Sequence, residues 1–162
     1  MSDRTPPAET QGYVLNHTML RVKDPEASLT FYRQVFGMQL LRSVDMPEGR
    51  FTLYFLARTE GDDVPKDEAG RLRYTSARQG VLELTHNWGT ENDPDVAYHN
   101  GNAEPQGYGH ICFTVPDLDA AVEWMDRNGV AFQKRPEDGS MKDIAFVRDP
   151  DGYWIELLAR PA

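Results

Sequence analysis

The sequence is short of cysteine, histidine, positive charge and long apolar runs. Of its 162 residues one is a cysteine, Cys112. A lone thiol excludes an internal disulfide framework and every zinc site built from several thiolates. Four histidines remain, so a metal centre would have to combine them with carboxylates. No segment approaches the roughly 20 apolar residues of a membrane helix. The opening stretch, MSDRTPPAETQG, lacks the apolar run of roughly 7–15 residues that a signal peptide needs. Residues 1–12 read as a flexible tail, and the expected location is cytoplasmic. Lys and Arg number 17 against 26 Asp and Glu, a formal charge of -9, which argues against nucleic acid or an anionic membrane as partner. With 40% hydrophobic and 27% charged residues, the composition is globular, and the length suits one domain or two small modules sharing a core.

What is present is a duplication. Residues 16–40 lie over 109–132 with an offset of 93, so that His17 meets His110, Val22 meets Val115, Asp24 meets Asp117 and Phe31 meets Trp124. Each copy opens with a strand, 14–22 and 109–115, and turns at an Asp suited to cap a helix. The helices that follow, about 26–36 and 118–128, have Ala27, Phe31 and Val35 on one apolar face, and Ala121, Val122 and Met125 on the other copy's. A glycine ends each helix. Strands at 38–44, 51–57 and 80–87 complete the first unit. Those at 130–134, 144–148 and 153–159 complete the second, with Asp149-Pro150-Asp151-Gly152 as the last turn.

The expected fold is α+β, two βαβββ modules. The modules span 13–100 and 101–162, the second including its linker. Residues 58–79 are a charged insertion without counterpart in the second copy, ten of 22 residues being ionic. It reads as solvated.

Strand alternation places His17, Met19 and Arg21 on one face, and Val81, Glu83, Thr85 and Asn87 together on another strand. Trp154, Glu156 and Leu158 share a face of the last strand. Glu83 and Glu156 each sit among apolar neighbours, where an ionised carboxylate needs a partner or a metal. One His and one Glu per repeat form a pseudo-symmetric set of four N/O donors, His17, Glu83, His110 and Glu156, suited to a divalent transition metal. His86 alternates away from Glu83 and reads as a hydrogen-bonded or packed residue. His99 reads as a loop or lid residue, and Cys112 as a buried, inert thiol.

The segments TMLRVKDPEASLTFY, FTLYFLA, LELTHNWGTE, YHNGN, GYGHICF and DPDGYWIELL resemble the glyoxalase I family of the vicinal oxygen chelate superfamily, over about residues 13–159. The resemblance implies a metal-dependent isomerisation of the methylglyoxal–glutathione hemithioacetal to S-lactoylglutathione. It implies curved mixed sheets around a metal site, with one divalent metal per site, zinc ahead of nickel or cobalt, and glutathione as co-substrate. The dimer it implies would place each site at the subunit interface. By the same resemblance, Glu156 corresponds to the principal base, with Glu83 as second acid/base or ligand. Arg21 and Asn87 match positions for the γ-glutamyl end, and Lys134 one for the glycyl carboxylate. Phe51, Leu53, Phe55 and Met141 match an apolar pocket for the carbonyl substituent. Two departures stand out. His17 replaces the Gln of eukaryotic members, and Gln106 replaces an Arg that helps hold glutathione. The alternatives are another metalloenzyme of the superfamily, an extradiol-type dioxygenase or a thiol transferase, or a metal-free binding module on the same scaffold.

Overall fold

A computed structural model describes residues 5, 7–60 and 64–160. The first module runs β1 (His17–Val22), α1 (Pro25–Phe36), β2 (Gln39–Met46), β3 (Phe51–Ala57), α2 (Glu68–Ser76) and β4 (Val81–Asn87). The second runs β5 (His110–Val115), α3 (Leu118–Arg127), β6 (Phe132–Lys134), β7 (Ile144–Arg148) and β8 (Trp154–Ala159). Their sheets have the same order, β1-β4-β3-β2 and β5-β8-β7-β6. In each, the first and last strands pair in parallel while the other pairings are antiparallel. The module's two ends therefore lie side by side, which brings residues 66 and 46 positions apart in sequence onto adjacent strands.

Local chemistry sets the helices. Asp24 accepts hydrogen bonds from the backbone of Glu26 and Ala27, Pro25 occupies the first helical turn, and Gly37 closes α1 at φ 62°. Asp117 caps α3 through the Ala120 amide. The inward stripe of α1 is rotated from the expected one: Ser28, Tyr32 and Phe36 are buried, Phe31 and Val35 are half-buried, and Ala27 is exposed. The polar tips explain the rotation. The Tyr32 hydroxyl donates to Asp149 Oδ2 at 2.8 Å, and Ser28 Oγ donates to Asp151 Oδ2 at 3.3 Å, both in the β7–β8 turn.

That turn locks the modules together, with Asp151 Oδ1 also accepting from the Lys23 amide. A shared core lies beneath both sheets, including Leu20, Val22, Leu82 and Leu84 of one module and Ala145, Val147, Ile155 and Leu157 of the other. Phe36 stacks on Phe113 across the join with ring centroids 4.4 Å apart. Burying such large apolar surfaces is the main favourable contribution to holding the halves together.

Three expectations need correction. The first strand begins at His17 rather than at residue 14, and Val14 and Leu15 are exposed. The insertion is more than a solvated loop. It contains α2, which buries Gly70 and Thr75 and packs beside a small satellite core of Leu41, Ala57 and Val81, with Val64 and Tyr74 against it. Cys112 is exposed rather than buried. The tail expected at 1–12 falls partly outside the described residues, at 1–4 and 6, while Ala8–Thr10 forms one 3-10 turn.

Candidate functional site

Each sheet turns one face to the core and leaves the other open. On β1 the buried residues are Leu20 and Val22, so His17, Met19 and Arg21 occupy the open face. On β4 the buried Leu82 and Leu84 point inward with His86, and Glu83 looks outward beside Phe55 of β3. The second sheet repeats this layout. His110 and Cys112 lie on the open face of β5, Glu156 on that of β8, and Phe146 is opposite Glu156 on β7.

In both modules the expected His and Glu meet. His17 Nε2 lies 3.0 Å from Glu83 Oε2, and His110 Nε2 lies 3.2 Å from Glu156 Oε2. The carboxylates are largely sheltered while the imidazoles are about two-fifths exposed. An aromatic ring stands edge-on to each imidazole, Phe55 at 5.8 Å from His17 and Phe146 at 5.1 Å from His110. The duplication thus extends to a third residue. Sequence reasoning misses Phe146, because IAFVR reads as an uninterrupted apolar strand. Aligning it with Phe55 by their common place opposite the glutamate would have found it.

The two half-sites differ in detail. Glu83 Oε1 accepts from the Thr85 hydroxyl at 3.2 Å, whereas the position after Glu156 on the same face is Leu158. Glu156 instead accepts from the Cys112 thiol. Partial burial of that thiol and the neighbouring carboxylate push its pKa up to about 11, so it stays protonated at neutral pH despite its exposure. His17 Nδ1 contacts Asn16 Oδ1 at 2.7 Å, and the residue preceding His110 is Gly109.

The donor set fits a divalent metal. Zinc binds His nitrogen and carboxylate oxygen at about 2.0–2.2 Å. Adjacent ligands on one ion are then about 3 Å apart, the spacing found in both pairs. Among the described residues of a single chain, however, no three His, Cys, Asp or Glu side chains gather closely enough to hold an ion. Each sheet offers two donors.

The remaining candidates spread over the open faces. Arg21 lines a pocket of about 310 Å³ with Tyr98, His99, Tyr108 and Tyr153, and the Tyr98 hydroxyl is buried there without a hydrogen-bond partner. Phe51, Leu53 and Phe55 stand opposite Asn87, Thr85 and Glu83, forming an apolar strip along the first sheet. Lys134 is half-buried, its ammonium donating to the carbonyls of Arg135, Met141 and Ile144. Met141 is 58% exposed on the loop before β7. His86 is buried and contacts Glu91 Oε2 through Nε2 at 2.7 Å, a hydrogen-bonding role that leaves it outside the donor set. His99 Nε2 donates to the Pro105 carbonyl, and Gln106 is exposed in the same loop.

The sequence matches the Glyoxalase/Bleomycin resistance protein/Dioxygenase superfamily over residues 14–157. It is 61% identical to a lactoylglutathione lyase of Pseudomonas aeruginosa, covering 94% of this chain and 86% of that one. It is 53% identical to glyoxalase I of Saccharomyces cerevisiae, covering 90% of this chain but 44% of the yeast protein. Among solved structures, the trypanothione-dependent glyoxalase I of Leishmania major superposes with a TM-score of 0.66 at 35% identity, covering 91% of this chain and 86% of that one.

Proposed function

Since the chain belongs to the Glyoxalase/Bleomycin resistance protein/Dioxygenase superfamily and, within it, to the lactoylglutathione lyase (glyoxalase I) family, we infer how its two half-sites perform that family's reaction. The enzyme isomerises the hemithioacetal of methylglyoxal and glutathione to S-lactoylglutathione, a detoxification of methylglyoxal. The repeated His–Glu contact, at 3.0 and 3.2 Å on two equivalent open faces, carries the site assignment. His17 and Glu83 supply two donors and His110 and Glu156 two more. The full set forms when the first module of one protomer meets the second module of another in a homodimer. The metal we assign is zinc, because the insertion bearing α2 resembles that of zinc-activated members. Once bound, the ion supplies Lewis-acid stabilisation of the negative charge that develops as a carbon–hydrogen bond beside a carbonyl ionises.

The protein's own residues do the rest. Glu156 removes the proton from one substrate carbon and returns it to the adjacent one, so no redox partner is needed. Its environment favours this assignment over Glu83. Each glutamate contacts its histidine, but Thr85 also anchors Glu83, whereas Glu156 has Leu158 at that position and, besides His110, only a weak thiol donor. A carboxylate that must exchange partners during turnover benefits from the looser setting.

Arg21 receives a carboxylate of the thiol substrate, its planar fork matching two oxygens, and the unpartnered Tyr98 hydroxyl lies in the same pocket. Asn87 contributes amide contacts to the γ-glutamyl end. Lys134 provides positive charge for the glycyl end while its ammonium braces the 134–144 loop. Phe51, Leu53, Phe55 and Met141 enclose the small carbonyl substituent.

Metal-stripped protein given methylglyoxal and glutathione should form thioester only after zinc, nickel or cobalt is restored, with zinc the best of the three. Absence of thioester with every metal would refute the reading. Because Gln106 lacks the charge of the eukaryotic Arg, a parallel series with trypanothione checks that glutathione is the thiol used.

A further inference from the structure

We propose that Asn16 is a positioning residue that fixes the ring of His17, and that the helix of the insertion holds it in place. The inference rests on the reading of His17 as a metal ligand. The Asn16 amide nitrogen donates to the carbonyls of Thr75 and Arg78, each at 2.8 Å, and lies 3.4 Å from that of Ser76. Carbonyl oxygens can only accept, so the NH2 group must face them and Oδ1 must face the other way. Oδ1 lies 2.7 Å from His17 Nδ1. As an acceptor it requires the proton on Nδ1, so Nε2 is the ring nitrogen presented to an ion held between it and Glu83 Oε2, 3.0 Å away. In this tautomer the imidazole can ligate through Nε2 without first rearranging its proton.

The carbonyls that orient Asn16 come from the C-terminal end of α2 and the turn after it. That helix is tied to β2 by Arg42 Nε to Glu68 at 2.6 Å and by Arg71 Nη1 to the Leu41 carbonyl at 2.7 Å. It is also seated near Val81 and Phe55, at the His17 end of the open face. A continuous path therefore runs from β2 through α2 to Asn16 and the His17 ring. The second module has neither part of it. There is no insertion between β7 and β8, and Gly109 occupies the place of Asn16. Phe146 is the ring contact His110 retains, closer than Phe55 is to His17. The insertion thus makes the first half-site the preorganised one, giving α2 a task that a charged surface loop would not have.

Histidine-labelled, zinc-loaded wild-type protein provides the first test, the ion replacing any proton between Nε2 and Glu83. Long-range proton–nitrogen spectra should show His17 as the Nδ1–H tautomer, and finding Nε2–H instead would overturn the proposal without any variant having to fold. In Asn16→Leu the tautomer preference should fade, and the zinc dissociation constant from chelator competition should rise about 10–100-fold, the usual consequence of losing such a support. Unchanged zinc affinity in that variant also overturns it, provided His17→Ala binds zinc more weakly than wild type. If His17→Ala binds zinc normally, the failure lies with the ligand assignment, and the tautomer measurement alone decides the role of Asn16.

Discussion

Replacing Asp149 with asparagine should change how stability depends on pH, in a direction and by an amount the structure sets. Asp149 is 5% exposed. Its Oδ2 accepts from the Tyr32 hydroxyl at 2.8 Å, and its Oδ1 accepts from the amides of Asp151 and Tyr153 at 3.0 and 2.9 Å. Burial outweighs these favourable contacts and raises the carboxyl from the ordinary 3.8 to about 6. Between those values the folded chain holds a proton that the unfolded chain has released, so stability falls as pH rises through the interval. Below 3.8 both states are protonated and above 6 both are ionised, and the contribution is flat on either side. The gap corresponds to about 3 kcal/mol. The substituted amide cannot ionise, yet its carbonyl keeps both amide donors, and the Tyr32 hydroxyl can turn to accept from its NH2. Denaturant unfolding of both chains at equal protein concentration, from pH 4 to 8, should therefore show the variant gaining on wild type by about 3 kcal/mol toward neutral pH. Parallel profiles would refute the assignment. Asp149→Ala is the contrast: it strands three donors, and each stranded donor costs about 1–3 kcal/mol, at every pH.

Other substitutions probe the site and the fold. Glu156→Gln should remain folded by circular dichroism while turnover falls by at least ~10²-fold, the lower range for loss of a general base. Near-normal rates would remove Glu156 from that role. Glu83→Gln should be milder in turnover but should weaken zinc retention in dialysis. Phe36→Ala empties the join where it stacks on Phe113 and should cost about 3–5 kcal/mol in urea titration. Asp24→Ala removes both cap bonds of α1 and should cost about 1 kcal/mol, seen as a lower thermal midpoint.

The strands and the two main helices are legible in the sequence because period-two alternation, Asp caps and closing glycines agree with the tertiary fold in both copies. The His–Glu pairs are legible because duplication marks them twice. α2 is not. EAGRLRYTS has no apolar stripe, its buried positions are Gly70 and Thr75, and what seats it are bonds from Arg42 and Arg71 to distant partners. The inward face of α1 escapes hydropathy for a related reason: Ser28 and Tyr32 are buried by their bonds to the β7–β8 turn, which apolar periodicity does not register. Asn16 looks like an ordinary strand-edge residue, since the carbonyls that orient it lie 59 and 62 positions away.

The parallel pairing of each module's first and last strands has an evolutionary consequence. It makes the His–Glu pair a property of the module, carried as one heritable unit. A gene duplication then copies a finished half-site, and either copy can diversify without dismantling the other's pair. The first copy carries a bracing helix and an asparagine, the second a thiol and a leucine beside its glutamate. Division of labour between a holding half and a working half is open to any lineage that starts from such a duplicate.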